Sequence, residues 1–420
     1  MGIGRRTYEF LMMSSVAHAK WDYDVSMSIL KNRKKLLILL ALLMPILTVS
    51  LLEAADILGG KAAYAPAHYS TTVFLISIAI GLAAGLITGC IGAGGGFIIT
   101  PALMAAGVKG IMAVGTDVFH IFAKAIMGTT VHRKLGNVSV ALAVVFVIGS
   151  IIGATVGGYI NRTIYGIDPV LSDAFISTVY ALILGFLGSY ALYDFLKLRK
   201  TGIDVSAHDG GEPVKKPVTT TAFALKLQTL KIPPVVRFDH DFVPGGRTLP
   251  GIVVTSGGFV VGFLAAIMGV GGGFVTFPMF VYLFGISTMT TVGTDIFQII
   301  FTAGYASISQ YAIYGYVFYT LAMGMLLGSL IGIQVGALTT KVVRGIDIRG
   351  FYAATILAGF VNRASVLPSK LTELGYIKVS KPLASGIELV GNILFWLIIA
   401  AFGIWVMSKF FGNLKALKEE

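Results

Sequence analysis

The stretch GAGGGFIITP, residues 92–101, returns later in the chain as GVGGGFVTFP, residues 269–278. Glycine-rich loops of this kind cradle phosphate groups in soluble nucleotide-binding proteins, where a strand and a helix flank the loop. Both copies here lie inside strongly apolar sequence instead. The repeat therefore indicates a role inside a membrane rather than at a nucleotide.

The repetition extends well beyond the glycines. Two further pairs of stretches match: VGTDVFHI at 114–121 with VGTDIFQI at 292–299, and IGSIIGATVGG at 148–158 with LGSLIGIQVGA at 327–337. The offset between the copies drifts only from 177 to 179 residues. A spacing this long indicates two half-domains rather than a solenoid. We therefore predict two repeats, over residues 70–200 and 250–410.

The composition is that of a polytopic membrane protein. Of the 420 residues, 56% are hydrophobic and 12% are charged, whereas soluble proteins are about one-quarter charged. Runs of bilayer-spanning length recur at about 72–91, 111–131, 138–160, 173–196, 251–268, 290–312, 317–340 and 386–407. The expected fold is all-α with about nine membrane spans. The net charge of +12 comes largely from short basic clusters, which mark cytoplasmic loops and do not require a nucleic acid partner.

Polar segments separate the apolar parts of the chain. Residues 1–35 end in the basic run KNRKK and are predicted to form a cytoplasmic N-terminal segment. The apolar stretch that follows is predicted to be an extra membrane helix at 36–55, because its leading segment is long for a cleaved signal peptide. Residues 201–248 are polar and contain prolines, which predicts a cytoplasmic linker. Residues 350–384 are mixed, and their sequence assigns them no structure.

The basic residues predict that the two repeats have opposite orientations. HRK at 132–134 follows a span of the first repeat, whereas Lys and Arg are absent from the sequence between 248 and 340. Opposite orientation requires an odd number of crossings per repeat. The segments 97–107 and 274–285 are too short to span, so we read each glycine phrase as the tip of a broken, re-entrant helix. This topology also places the C-terminus outside.

Inverted repeats with broken helices are typical of secondary transporters, whose substrate site lies where the breaks meet. Helix N-termini at such breaks favour anions. The predicted substrate-binding glycines are Gly92, Gly94, Gly95, Gly96, Gly269, Gly271, Gly272 and Gly273. Phe97 and Phe274 begin the returning half-helices, and Pro101 and Pro278 are expected in their first turns, where proline is tolerated. The alternative is that the glycines serve only close helix packing.

Ionisable residues lie within the predicted spans. Asp117, His120 and Lys124 are spaced to share one helix face, and charges inside a membrane are usually functional. The second repeat keeps Asp295 but has Gln298 at the histidine position. We expect Lys124 and Gln298 to bind the substrate, and Asp117, His120 and Asp295 to carry protons. The alternatives are a structural link between Asp117 and Lys124, or a coupling cation held by the two aspartates.

Other residue patterns say less about chemistry. Thr116 and Thr294 offer hydroxyl groups either to a substrate or to the helix backbone as caps. The lone Cys90 excludes an intramolecular disulfide and a thiolate metal cluster. The sequence contains no HExxH, GxSxG or GxxxxGK[ST] motif. We therefore expect neither an enzyme nor a cofactor or metal site.

The paired G-x-GGG-F-x-x-x-P phrases, each followed by VGTD, resemble the sulfite exporter TauE/SafE family of membrane permeases. The resemblance covers about 70–200 and 250–410. It implies a carrier in the cytoplasmic membrane that exports sulfite or related organosulfur anions, and it maps the family's signature glycines and prolines onto those named above. The chain departs from the family pattern at Asp117 and Asp295, where serine is common.

The sequence as a whole predicts a secondary transporter that moves a small oxyanion, such as sulfite or an organosulfonate, by alternating access. Export is implied by the resemblance alone, and a proton is the expected coupling ion. The rivals are a carrier for sodium or a metal ion, and a signalling or scaffold protein that binds a soluble partner through 201–248. The expected partners are the lipid bilayer and a small anion, with no nucleic acid. The oligomeric state, a homodimer included, is left open.

Overall fold

A computed structural model describes residues 70–91, 95–134, 138–201, 222–230, 232–239, 246–340 and 342–413. The predicted N-terminal segment at 1–35 and the extra helix at 36–55 lie outside these residues. Gly92 and Gly94 of the first glycine phrase also lie outside them. Within the described part the chain is helical apart from one short β-hairpin.

The first repeat contains five helices. The first two are separated by the glycine phrase, and the others follow after short connections. In chain order they are α1 (Thr71–Ile91), α2 (Gly96–Ala105), α3 (Gly110–Lys134), α4 (Val140–Ile167) and α5 (Pro169–Thr201).

The second repeat follows the same order and adds one helix. In chain order its helices are α7 (Gly251–Met268), α8 (Gly273–Pro278), α9 (Thr288–Tyr305), α10 (Tyr319–Thr339), α11 (Gly345–Glu373) and α12 (Lys381–Gly412). Helix α8 continues as a π turn over Met279–Leu283, and α9 continues as a π segment over Ala306–Tyr311.

Between the repeats, the described part of the linker has α6 (Ala222–Thr229) and an antiparallel hairpin of β1 (Val235–Phe238) and β2 (Arg247–Pro250). This hairpin is anchored to the loop between α8 and α9. Asp239 accepts hydrogen bonds from the backbone N–H of Ser287 at 2.8 Å and from its hydroxyl at 2.7 Å. Gln228 donates to the Phe284 carbonyl at 2.8 Å. The linker therefore includes an ordered element that packs on the second repeat.

Seven helices in the described residues are long and apolar enough to cross a membrane: α1, α4, α5, α7, α10, α11 and α12. Helix α2 is apolar but too short to cross, as its sequence predicts. The prediction of an all-α polytopic membrane protein is confirmed.

The first helix of each repeat packs along the fourth helix of the other repeat. Glycines line both of these contacts, which we call the glycine seams. Helix α1 packs along α10, and α7 packs along α4; these are the two most extensive helix contacts. In the first seam Gly81 lies against Met325 and Gly89 lies against Ile333, so the two helices run parallel. A Cβ atom on either glycine would overlap backbone atoms of α10. Small residues thus let the two backbones approach closely, as in other membrane helix pairs.

Equivalent helices of the two repeats run antiparallel where they touch. On α3, Gly115 lies against Tyr311 at the end of α9, whereas Phe122 lies against the earlier residue Gly304. Helices α5 and α11 show the same relation, with Gly188 against Leu357 and the later Phe195 against the earlier Gly350. An inverted repeat would produce this arrangement, because a two-fold axis perpendicular to the helices reverses each one.

The chain turns back on itself after α1 and again after α7. Gly95, just before α2, lies against Ala84 of α1, seven residues from the end of that helix. In the second repeat, Gly272 lies against Val261 of α7, also seven residues from the helix end. Each glycine phrase therefore reverses the chain, and the short helices α2 and α8 return along the helix that precedes them.

Helix α11 fills the part of the sequence to which we could assign no structure. Asn362, Arg363 and Pro368 interrupt its apolar pattern, which hides a span-length helix from a hydropathy reading. Helix α12 packs antiparallel to it, since Phe351 near the start of α11 contacts Trp405 near the end of α12. The end of α12 therefore lies on the same side as the end of α5. The sequence analysis expected the last span to end on the opposite side, and this expectation is wrong, because it omitted one span.

The α4–α7 seam predicts which glycines the fold requires. A Cβ on Gly153 would overlap the Phe259 carbonyl, whereas a Cβ on Gly166 of the same helix meets no atom within 4 Å. We expect Gly153→Val to destabilise the protein by about 1–3 kcal/mol, the usual cost of overpacking, and Gly166→Val to change stability little. Thermal unfolding of both variants in detergent measures this. Equal melting temperatures would contradict the seam's role.

Candidate functional site

The two glycine breaks meet inside the molecule. A Cβ on Gly96, at the start of α2, would lie 3.3 Å from the Cα of Val270 in the second break. Gly269 lies against Thr100 of α2, and Gly271 lies against Ile121 of α3. The second break is therefore inserted between α2 and α3 of the first repeat, and the predicted glycines at 95, 96, 269 and 271–273 come together.

Backbone conformation explains the glycines of the second break. Gly269, Gly271 and Gly272 have φ angles of 79°, 57° and 86°. This left-handed region is costly for residues with a Cβ atom. Three such residues within four positions end α7 and redirect the chain into α8.

The broken end of α7 leaves carbonyl groups that other helices satisfy. Asn161 of α4 donates to the carbonyls of Ala266 and Ile267, at 3.4 and 3.3 Å. The hydroxyl of Tyr311 also donates to Ala266, and that of Tyr180 on α5 donates to Met268. Sequence reasoning missed these three polar residues. Their signal was a polar group inside an apolar span, which a buried helix end requires.

In the first repeat, Asp117 and His120 form an incompletely bonded pair. Thr100 donates to Asp117 Oδ2 at 3.0 Å, and His120 Nε2 lies 3.0 Å from the Ser329 hydroxyl of α10. Asp117 Oδ1 and His120 Nδ1 lie 3.8 Å apart. Among the described residues neither of these two buried atoms has a hydrogen-bond partner. The pair thus keeps free bonding capacity in a place closed to bulk water.

In the second repeat the corresponding residues are linked by a continuous series of hydrogen bonds. Gln298 donates to Asp295 Oδ1 at 2.9 Å, and Thr302 donates to Gln298 Oε1 at 2.7 Å. The Thr302 hydroxyl lies 2.6 Å from that of Ser150 on α4. Ser150 and Ser329 occupy equivalent places in the two repeats. The site is therefore asymmetric, and the repeat with the histidine is the one with unfilled bonds.

Lys124 lies one turn beyond His120 on α3 and interacts electrostatically with both members of the aspartate–histidine pair. Its amine donates to the Thr88 hydroxyl of α1 at 3.2 Å. Seven residues separate it from Asp117 on the same helix, or about 10 Å along the axis. The structure thus places Lys124 one turn beyond His120 and two turns beyond Asp117, with its amine bonded to α1.

Thr116 and Thr294 make the same contact in opposite repeats. The Thr116 hydroxyl accepts the backbone N–H of Phe318 at 3.0 Å, and Phe318 precedes the first residue of α10. The Thr294 hydroxyl accepts the N–H of Ser139 at 3.0 Å, and Ser139 precedes α4. Each threonine thus satisfies a backbone donor at the start of a neighbouring helix, which favours the capping alternative over the substrate-binding one.

Comparison with known families now gives this geometry a context. The family model described as sulfite exporter TauE/SafE matches residues 77–363. The chain belongs to this family. The match extends from α1 into α11 and covers both glycine phrases and the site between them.

Two curated relatives from Bacillus subtilis (strain 168) are similar to this TauE/SafE chain. The probable membrane transporter protein YunE is 26% identical over 273 residues, which cover 63% of this chain and 87% of the relative. The probable membrane transporter protein YjnA is 25% identical over 268 residues, which cover 62% and 87%. No solved structure matches the chain.

The phenylalanines and prolines of the two glycine phrases lie in the returning helices. Phe97 is buried and packs edge-on against Tyr352 of α11, with ring centroids 5.9 Å apart. Pro101 is the sixth residue of α2, so its expected place in the first turn is wrong: the helix already begins at Gly96. Pro101 therefore leaves the Phe97 carbonyl without its usual intrahelical donor. Pro278 is likewise the sixth residue of α8, which begins at Gly273, so its expected place in the first turn is also wrong. The side chains of Phe274 and Pro278 lie outside the described part of the chain.

One buried cation escaped the sequence analysis. Arg363 of α11 is 1% exposed. Tyr180 lies within electrostatic range of both Arg363 and Asp117, and it lies beside Thr100. The sequence signal for Arg363 was a single arginine within a mostly apolar stretch of the family domain.

The two threonine contacts predict a stability effect without substrate. We expect Thr116→Val and Thr294→Val each to cost about 1 kcal/mol, the usual worth of a helix cap, whereas Thr116→Ser keeps the hydroxyl and stability. Thermal unfolding in detergent without added anions measures this. Unchanged stability together with a raised KM would instead support a substrate contact.

Proposed function

We propose that this membrane transporter carries a small oxyanion, such as sulfite or an organosulfonate, out of the cell by alternating access between two inverted repeats. Family membership and the names of the two relatives support transport. The antiparallel contacts between equivalent helices support the inverted relation. We also propose the cytoplasmic membrane as its location, with the linker and the N-terminus inside.

The meeting of the two breaks is the observation that supports this function best. A Cβ on Gly273 would lie 3.2 Å from Asp295 Oδ2, and Gly269 lies against Thr100, which donates to Asp117. The second break thus lies beside Asp295 of its own repeat and beside Thr100, the hydrogen-bond partner of Asp117 in the first repeat. Movement of one repeat against the other would alter both contacts at once, as alternating access requires.

A carboxylate repels an anion, which links substrate and proton in this proposal. An oxyanion bound near Asp117 favours the protonated carboxyl group, because two adjacent negative charges are costly in a buried site. His120 Nδ1, 3.8 Å from Asp117 Oδ1, is a titratable nitrogen placed to exchange a proton with that carboxyl group. We therefore assign proton coupling to Asp117 and His120 first, and to Asp295 second, since Gln298 already donates to Asp295.

The rival function is a cation carrier with the two aspartates as ligands. In the part of the chain that the structure describes, no group of three or more His, Cys, Asp or Glu residues is placed to hold a metal ion. Asp295 already accepts a hydrogen bond from Gln298. These observations favour the anion carrier, and the flux experiment below separates the two.

Flux into proteoliposomes tests the proposed function. The panel contains sulfite, sulfate, thiosulfate, sulfoacetate, chloride and sodium, with and without a pH gradient. We expect one sulfur oxyanion to be carried, with transport lost in Lys124→Ala and its pH dependence changed in Asp117→Asn. Lys409→Ala, which removes an exposed lysine in the last turn of α12, is the matched control and should transport normally.

Two outcomes of the flux experiment would count against parts of the proposal. Flux of sodium with all oxyanions inactive would replace the anion carrier by the cation carrier. Equal oxyanion flux in the wild type and in Lys124→Ala would remove that lysine from the site while leaving anion transport in place.

A further inference from the structure

Arg363 is a fully buried cation in the middle of a helix of membrane-spanning length. It lies in α11 with 1% of its surface exposed, and it is among the largest fully buried side chains of the protein. Lys370, seven residues later, lies about 10 Å farther along the helix axis. A charged group at this depth is costly unless it has a partner.

The guanidinium group is only partly bonded. Its Nε–H donates to Asn362 Oδ1 at 2.7 Å, and Asn362 in turn donates to Asn392 Oδ1 at 2.6 Å. Arginine has five N–H donors. In the described residues the Nε–H is the one donor of Arg363 with an acceptor, and no carboxylate oxygen lies within 4.0 Å of the group.

The neighbouring carboxylates do not neutralise Arg363 by direct contact. Asp173 and Glu388 interact with it electrostatically, as does Tyr180. Asp173, however, pairs with Lys370 at 3.4 Å and accepts the N–H of Gly110 at 2.8 Å. The Asp173 carboxylate is therefore already bonded to other groups.

Arg363 lies at the depth of the aspartate–histidine pair. Asp117 is seven residues from Gly110 on α3, and Arg363 is seven residues from Lys370 on α11; Gly110 and Lys370 both bind Asp173. Both residues are thus about 10 Å from the same reference point along their helices. Tyr180 lies within electrostatic range of each. Lys124 lies two turns beyond Asp117 and one turn beyond His120 along α3.

We propose that Arg363 is the residue that binds the oxyanion group of the transported substrate, with its free N–H donors facing the anion and Tyr180 at the side toward Asp117. This inference rests on the proposed function and deepens it. Asn362 orients the guanidinium plane through Nε, which leaves the two terminal nitrogens for a bidentate contact. A planar fork of donors fits a sulfite or sulfonate group better than a spherical halide.

Two variants at Arg363 test the charge and the fork separately. We expect Arg363→Gln to raise the KM for the transported sulfur oxyanion about tenfold to a hundredfold, as for loss of a charge-assisted hydrogen bond. Arg363→Lys keeps the charge and should raise it less, with reduced preference for the oxyanion over chloride. Lys370→Gln, which removes the paired cation on the same helix, is the matched control and should keep the wild-type KM.

A third variant keeps the test valid if removal of the arginine prevents folding. Asn362→Asp places a carboxylate where Oδ1 already lies 2.7 Å from Nε, so it supplies the missing countercharge from within the protein. Because Asn392 Oδ1 accepts from Asn362, the Asn392 amide must turn so that its Nδ2 donates to the new carboxylate. With that turn, we expect this variant to melt at or above the wild-type temperature without substrate. It should nevertheless raise the KM about tenfold or more, because the internal carboxylate competes with the anion.

The outcomes separate the inference from the proposed function. A wild type that carries the oxyanion, with unchanged KM in Arg363→Gln or in Asn362→Asp, would overturn the role of Arg363 and leave anion transport standing. A wild type that neither carries nor is thermally stabilised by any oxyanion of the panel would overturn the proposed function, and this inference with it.

Discussion

A helix that ends inside a membrane protein leaves backbone carbonyl groups with no water to bond them, and the centre of this structure is organised around that constraint. Asn161, Tyr180 and Tyr311 reach the end of α7 from three different elements. They fix the position of the break, and the break fixes where α8 returns. Because the same break contacts α2 and α3, the geometry at Asp117 depends on these hydrogen bonds as well.

The glycine seams bind the two repeats into one unit. The first helix of each repeat packs against the fourth helix of the other, and the backbones are in direct contact at successive glycines. Such contacts tolerate sliding poorly, because any side chain larger than hydrogen collides with a carbonyl group. In an alternating-access cycle, the paired helices α1–α10 and α4–α7 would therefore move as rigid pairs. The less extensive contacts at the glycine breaks, and those among the buried polar residues, would change instead.

The sequence was most informative where the backbone itself demands a residue type. Glycine breaks and seams are readable, since only glycine adopts left-handed φ or allows such close approach. Helix α11 was missed because Arg363 and Pro368 lower its apolar character. The partners of Thr116 and Thr294 lie 202 and 155 residues away. No local pattern encodes which distant helix start such a hydroxyl caps.

The packing of α1 against α10 also has a consequence for how the protein folds during synthesis. Ser329 of α10 donates to the carbonyl of Gly81 on α1, 248 residues earlier in the chain. At a synthesis rate of about 5–20 residues per second, α10 is synthesised on the order of 10 to 50 seconds after α1. During that interval the glycine face of α1 contacts lipid, a transient neighbour or the insertion machinery. The native pairing of α1 with α10 therefore forms only after α10 has emerged from the ribosome.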